Sequence, residues 1–264
     1  LLETEAIDAL AETIAATRLA RTPLPAQASK APPDVARAYA VQGAVHQRLA
    51  ASRFGRRSGW KIGCTTPVMQ DYLGIDHPCA AGLFAGSSHA SGAVLRHRDF
   101  VRVGVECEIA VRLAHDLAGE GATAQSVRGA VGAVMAAIEI VDDRYVDWQT
   151  IGTPMLIADD FFAAGCVLGA GLAPDTVPDL AGLRGRTLVD GVEVGAGIGA
   201  DVLGHPYTAL AWLADHAQGR GEPLRAGETV LLGSLVKTQW VPPGAAVRIE
   251  IEALGVVEVQ FAAG

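Results

Sequence analysis

Between Val101 and Leu113 an apolar side chain falls at every second position: Val101, Val103, Val105, Cys107, Ile109, Val111 and Leu113. Only an extended strand with one face packed on a core gathers such a row on one side. The same alternation puts Glu106 and Glu108 together on the opposite face, their alpha carbons roughly 6 to 7 Å apart. Two carboxylates so placed either share a cation or face solvent. Glu250 and Glu252 repeat the spacing beside Arg248, and there a solvated strand face accounts for it.

Glu139 bears on that choice. It lies inside Ala137-Ile138-Glu139-Ile140-Val141, where an unpaired carboxylate meets a heavy desolvation penalty. Either Arg144, the nearest cation in sequence, or a hard divalent cation shared with Glu106 and Glu108 neutralises it. Three carboxylates with no nearby His or Cys ligand favour Mg²⁺ or Mn²⁺ over zinc. Lys61, with Lys30 and Lys237 one of three lysines in the chain, sits between Trp60 and Ile62 in a glycine-bracketed strand. It either meets an anionic group of a substrate or snorkels to solvent. Asp142, Asp143 and Arg144 read as a charged turn closing the Glu139 strand. Gly195 to Gly199 lacks the spacing of a dinucleotide-binding loop, and no G-x-S-x-G elbow is present.

Helices are expected first along the chain. Ile7, Leu10, Ala11 and Ile14 fall at helical spacing, and after a Pro-rich link from Thr22 to Pro33, Asp34 caps a second helix with Val35, Ala38, Tyr39, Gln42, Val45 and Leu49 on one face. Gly59 to Gly63 reads as a strand, followed by a short helix with Thr66 as N-cap, Pro67 at its first position and Gly74 as its stop. Further on, a helix is expected over Ser126 to Met135; a Gly-rich stretch over 189–204 ends at His205-Pro206, where a helix opens through Ala217; and strands are expected over Thr229–Leu232, Val247–Leu254 and Val256–Phe261.

With 264 residues, half of them apolar and 19% charged, the chain suits one compact unit, with 1–90 as a helical and cap region and 91–264 as the catalytic part. No apolar run of about 18 residues is present to span a bilayer, and a net charge of −8 offers no basic stripe for nucleic acid. Four cysteines without a C-x-x-C pair fit a reducing cytoplasm. Acidic residues at Glu3, Glu5, Asp8 and Glu12 stand where a signal peptide would be basic and then apolar.

A set of ordered motifs is similar to one family. Gly59-Trp60-Lys61-Ile62-Gly63-Cys64-Thr65, Leu73-Gly74-Ile75-Asp76-His77-Pro78 and Val105-Glu106-Cys107-Glu108-Ile109-Ala110 come first. Ala137-Ile138-Glu139-Ile140-Val141-Asp142-Asp143-Arg144-Tyr145, Ile157-Ala158-Asp159-Asp160, Leu203-Gly204-His205-Pro206, Leu224-Arg225-Ala226-Gly227-Glu228 and Leu232-Gly233-Ser234-Leu235 follow. From about residue 35 to its end the chain resembles the 2-keto-4-pentenoate hydratase and 4-oxalocrotonate decarboxylase family of the fumarylacetoacetase superfamily.

The resemblance implies an α+β fold, a mixed, mostly antiparallel β-roll with the N-terminal helices packed on it. It implies Glu106, Glu108 and Glu139 as ligands of Mg²⁺ or Mn²⁺, Lys61 as the active-site lysine, and Asp159 and Ser234 as substrate contacts. Two departures stand out: Cys79 follows Pro78 where hydratases carry Asp, and Asp160 replaces the family's Asn. Asp160 is therefore the candidate for relaying a proton in place of the missing group. The implied activity is a metal-dependent hydratase of an unsaturated 2-oxo acid such as 2-hydroxypenta-2,4-dienoate. The alternatives are a 2-oxo-enedioate decarboxylase, to which Cys79 and Tyr145 point, then an acylpyruvate-type C–C hydrolase or a non-catalytic accessory subunit. The usual family member is a homo-oligomer, and a complex with a partner hydratase or decarboxylase is the other assembly implied.

Overall fold

The computed structural model describes residues 2–25 and 31–264, so part of the Pro-rich link lies outside the described residues. Helix α1 (Leu2–Ala20) buries Leu10, Ala11, Ile14 and Ala15, and α2 (Val35–Ala50) buries Ala38, Tyr39, Val41, Gln42, Val45 and Leu49. Both are the faces that helical spacing predicts. Asp34 caps α2 by accepting from the Arg37 N–H at 2.8 Å. After β1 (Arg57–Gly63), the Thr66 side chain caps α3 (Pro67–Leu73), which ends at Gly74 in the left-handed region, φ 65°.

There follow β2 (Cys79–Phe84), β3 (Ser88–Ala90), β4 (Ala93–Arg96), β5 (Val103–Leu113), α4 (Ala124–Arg128), β6 (Val131–Asp142), α5 (Thr153–Ala158), β7 (Ala163–Leu168), β8 (Arg184–Val189) and β9 (Val192–Ile198). The chain closes with α6 (Pro206–Gly219), β10 (Thr229–Ser234), β11 (Gln239–Trp240), β12 (Ala246–Ile251) and β13 (Gly255–Ala262). Eight strands form one sheet in the order β2-β1-β10-β5-β6-β7-β3, with β11 added on β5, and five form another in the order β4-β13-β12-β8-β9. Three pairings are parallel, β1 with β10, β3 with β7 and β4 with β13, and the others are antiparallel. This is the mixed, mostly antiparallel α+β architecture that the resemblance implies.

The five-stranded sheet packs on the Val105, Cys107 and Ile138 face of β5 and β6. A Cβ added at Gly185 of β8 would come within 2.9 Å of Cys107 Sγ, which shows how closely the layers meet. The other face of the central strands carries Ala110, Met135 and Ala137, which form a second small apolar cluster with Leu83, Cys166 and Leu231. Strands β2 and β7 approach each other without pairing, so the larger sheet curls around this face without closing into a barrel. The glutamates project into that curl.

One expectation changes. The helix over Ser126–Met135 is a single turn, because from Val131 onward the chain pairs with β5 along its whole length, from Leu113↔Val131 to Val103↔Asp142; long-range pairing overrides the local spacing. The Gly-rich stretch contains β9, whose Gly195 and Gly197 leave room for Val236 and the Leu235 carbonyl. The division at residue 90 runs through the larger sheet, since β1 pairs with β10 and β3 with β7, both strands beyond it. Among the described residues no helix is long and apolar enough to cross a membrane.

Candidate metal centre and active site

Register builds the site. Glu106 of β5 stands directly opposite Glu139 of β6, and Glu108 lies two residues along on the same face, opposite Ala137. Their carboxylate oxygens fall within 4.8 Å of one another. Lys61 arrives from β1, where it pairs with Leu231 of β10. Glu108, Glu139 and Lys61 are 0%, 1% and 3% exposed, which removes the solvated-face and snorkelling alternatives for these residues.

Each group is aimed by a neighbour. Thr238 donates its hydroxyl to Glu106. The Gly233 N–H donates to Glu108 Oε2 at 2.8 Å. Gly233 has φ 123° at the irregularity between Leu231 and Ser234, and a Cβ there would lie 2.6 Å from Thr65 Oγ1, so only glycine presents that N–H. Lys61 Nζ donates to the Phe161 carbonyl at 2.7 Å and lies 3.1 Å from Glu139 Oε1, an ion pair without hydrogen-bond alignment. The Gly233 N–H and the Phe161 carbonyl escaped the sequence reading because backbone donors and acceptors leave no signature in residue type, and the Thr238 hydroxyl because its residue stands in none of the motifs.

Glu108 Oε1 and both oxygens of Glu139 are buried and accept no hydrogen bond from the described residues. Orphaned buried carboxylate oxygens are costly. Three carboxylates facing one ammonium leave two negative charges to balance, and an all-oxygen donor set suits a hard divalent cation. The residues therefore fit Mg²⁺ or Mn²⁺. Arg144, the alternative partner for Glu139, instead pairs with Asp159 at 3.2 Å.

Burial, then the charge of Glu139, push the Glu106 carboxyl up to about 7, with Lys61 and Thr238 opposing. Burial followed by Glu139 and Glu106 raise Glu108 well above the ordinary range. Burial alone would lower the Lys61 ammonium, but the three glutamates outweigh it and leave its pKa raised. Carboxyls raised above their unfolded values bind more protons in the folded chain, so metal-free stability falls as pH rises from about 4.5 towards 7. A cation replaces those protons. The increase in melting temperature on adding Mg²⁺ should thus be larger at pH 8 than at pH 5.5 in differential scanning fluorimetry; equal increases would argue that the cation binds elsewhere.

The expected proton relay through Asp160 does not match its surroundings. Asp160 is wholly buried, with Arg18 Nη1 at 2.6 Å, His46 Nε2 at 2.7 Å and the Gly82 N–H at 3.0 Å. Burial raises its carboxyl, yet His46, Arg18 and Gly82 outweigh that and hold it far below the ordinary range. It anchors structure. Asp159, expected to touch substrate, is likewise interior, held by Arg144 and 3.7 Å from Arg18. Asp160, Phe161 and Phe162 have φ of 56°, 48° and 66°, a left-handed run that costs L-residues roughly 1–2 kcal/mol each and persists where its surroundings over-determine it. Cys79 is buried at the start of β2, opposite Gly63. A hydrogen bond with Cys64, then burial, raise its thiol far above the usual range despite nearby Lys61, so it keeps its proton. Ser234 lies opposite Glu108, its hydroxyl donating to Val236 O at 2.6 Å.

Residues 77–262 match the model of the fumarylacetoacetate (FAA) hydrolase C-terminal family. The chain is 36% identical over 228 residues, 86% of each protein, to a 2-keto-4-pentenoate hydratase of Burkholderia vietnamiensis. It is 34% identical to a 2-hydroxyhexa-2,4-dienoate hydratase of Comamonas testosteroni over 93% of each. Its fold is similar to that of 4-oxalocrotonate decarboxylase from Pseudomonas putida G7, solved with magnesium and adipate, with a TM-score of 0.92, 28% identity and 98% of each chain covered.

Proposed function

The chain belongs to the fumarylacetoacetate hydrolase C-terminal family, and from that premise we propose that it is a metal-dependent lyase hydrating an unsaturated 2-oxo acid such as 2-hydroxypenta-2,4-dienoate in the breakdown of aromatic compounds. The observation that carries this reading is the buried carboxylate trio, with its orphaned oxygens, beside Lys61. Hydratases similar along most of the chain support it.

Glu106, Glu108 and Glu139 hold the cation in this reading. When bound, a divalent cation supplies Lewis acidity toward the carboxylate and 2-oxo oxygens of the substrate. Lys61 donates to Phe161 O and is ion-paired with Glu139, so an N–H not held by Phe161 is free to meet negative charge as it develops on the 2-oxo oxygen. Leu83, Ala137, Cys166 and Leu231 form a dry floor that strengthens these interactions. Ser234, beside Glu108, is the proposed contact for the substrate's polar end. Asp159 acts from behind, through Arg144.

A decarboxylase is the second reading, favoured by the similarity of the whole fold to a 4-oxalocrotonate decarboxylase and by Cys79, whose retained proton makes it a poor base. Identifying products from a dienoate and from a 2-oxo-enedioate separates the two: hydration of the first is expected to outpace CO₂ release from the second, and the reverse order would install the decarboxylase. Cys79→Asp is expected to raise the hydration rate, by about 10²-fold at the lower end of what a positioned general acid–base group contributes; an unchanged or lower rate would remove position 79 from proton transfer. The four cysteines are free, which supports a reducing compartment such as the cytoplasm. A homo-oligomer is proposed as the assembly, with the open β9 edge and its exposed Val192, Val194 and Ile198 as a surface to cover.

A further inference from the structure

Lys61 is oriented by a backbone carbonyl, and that carbonyl sits in the middle of the left-handed run. The turn at 160–162 brings Phe161 O to 2.7 Å from Lys61 Nζ and the Phe161 ring centroid to 5.7 Å from it. A buried ammonium beside three carboxylates is drawn toward them. An acceptor on the other side keeps it from collapsing onto oxygens that a cation needs.

What holds the turn comes from far away in the chain. Arg18, near the end of α1 and 142 residues before Asp160, bonds Asp160 Oδ2 at 2.6 Å and Ala163 O at 3.3 Å. His46 of α2 takes the other oxygen of Asp160. Arg144 grips the remaining side, at Asp159 O and Ala163 O. Arg18 has no hydrogen bond or ion pair to Lys61 or to the glutamates. Its side-chain hydrogen bonds and ion pairs go to the segment that carries the Phe161 carbonyl, while the guanidinium also lies over the Phe54 and Phe84 rings.

We propose that Arg18 is a positioning residue: through Asp160 it fixes the left-handed turn that aims the Phe161 carbonyl at Lys61, and so sets the direction of the Lys61 ammonium over Glu139. This rests on the reading of Lys61 as the group that meets negative charge in the reaction. The competing explanation is that Arg18 merely staples α1 to the domain. Arg48 offers the control, since it also ties α1, through Glu12 at 3.0 Å and Asp8 at 3.1 Å, but has no bond to the turn.

With three lysines in the sequence, a chain labelled with ¹⁵Nζ-lysine gives a simple ammonium spectrum, in which Lys61→Met assigns the buried signal. Arg18→Met is expected to shift or broaden the Lys61 resonance and to lower kcat on the order of 10²-fold with KM changed less than about threefold, as misplacement of a reacting group does. Arg18→Lys, which keeps the charge, is expected to restore most of both. Arg48→Met is expected to leave both alone while lowering the melting temperature. Should Arg18→Met fail to fold, Arg18→Gln keeps a polar side chain without the guanidinium fork and is expected to move both readouts in the same direction. An unmoved Lys61 resonance in the variant that folds, or a moved resonance with kcat unchanged, overturns the proposal. A wild-type chain inactive on dienoates would sink the functional reading instead, and the resonance would still decide whether Arg18 sets the direction of Lys61.

Discussion

Glu139→Gln should weaken Mg²⁺ binding by about 100-fold or more and abolish turnover at millimolar Mg²⁺, whereas Glu250→Gln should leave both unchanged. Changes to groups that only support metal ligands already cost about 10- to 100-fold in affinity, and Glu139 is placed as a ligand itself. Its two oxygens are buried and accept no hydrogen bond from the described residues. An amide there removes one of the charges that a cation balances and aims an N–H₂ group at a site built of acceptors. Glu250 has the same local spacing to a second glutamate but is ion-paired on the surface, with Arg186 at 2.6 Å and Arg248 at 2.6 Å. Isothermal titration with Mg²⁺ measures the difference, and equal losses in the two variants would mean that the wrong glutamates have been assigned.

Lys61→Met should lower kcat by about 10²- to 10³-fold, the loss usual for removing one donor aimed at developing negative charge. Metal affinity should move the other way. The ammonium lies 3.1 Å from Glu139 Oε1 and repels an incoming cation, so its removal leaves Mg²⁺ bound as tightly as before or more tightly. Loss of turnover together with loss of metal would make Lys61 a structural partner of Glu139 and nothing more. An unaltered kcat would take it out of the reaction.

The glutamates were legible because alternation fixes the face of a strand residue: Glu106 and Glu108 share a face by period alone, and Glu139 is conspicuous as a charge in an apolar run. Their meeting was not legible from spacing. It depends on the register Glu106↔Glu139, a pairing between strands that no local pattern dictates. Helices α1, α2, α3 and α6 were readable from apolar faces and caps, as at Asp34 and Thr66. Strands β2, β7 and β8 were missed, and β6 was entered too late, since short apolar runs carry no period that separates strand from helix. The surroundings of Asp160 were not legible for a physical reason: a carboxylate in a family motif looks available until Arg18 and His46 are seen to enclose it. Those partners lie 142 and 114 residues away in sequence.

Chelator-treated protein supplied with 2-hydroxypenta-2,4-dienoate and then titrated with Mg²⁺ puts the metal, the site and the reaction to one trial. Substrate should stay untouched until Mg²⁺ is added, then disappear at a rate that saturates with the metal, with one water gained per molecule and no CO₂ released. Hydration at full rate in the presence of chelator, or Mg²⁺ binding at the three glutamates with neither water added nor CO₂ released from any unsaturated 2-oxo acid, would contradict the assignment of this chain as a metal-dependent lyase.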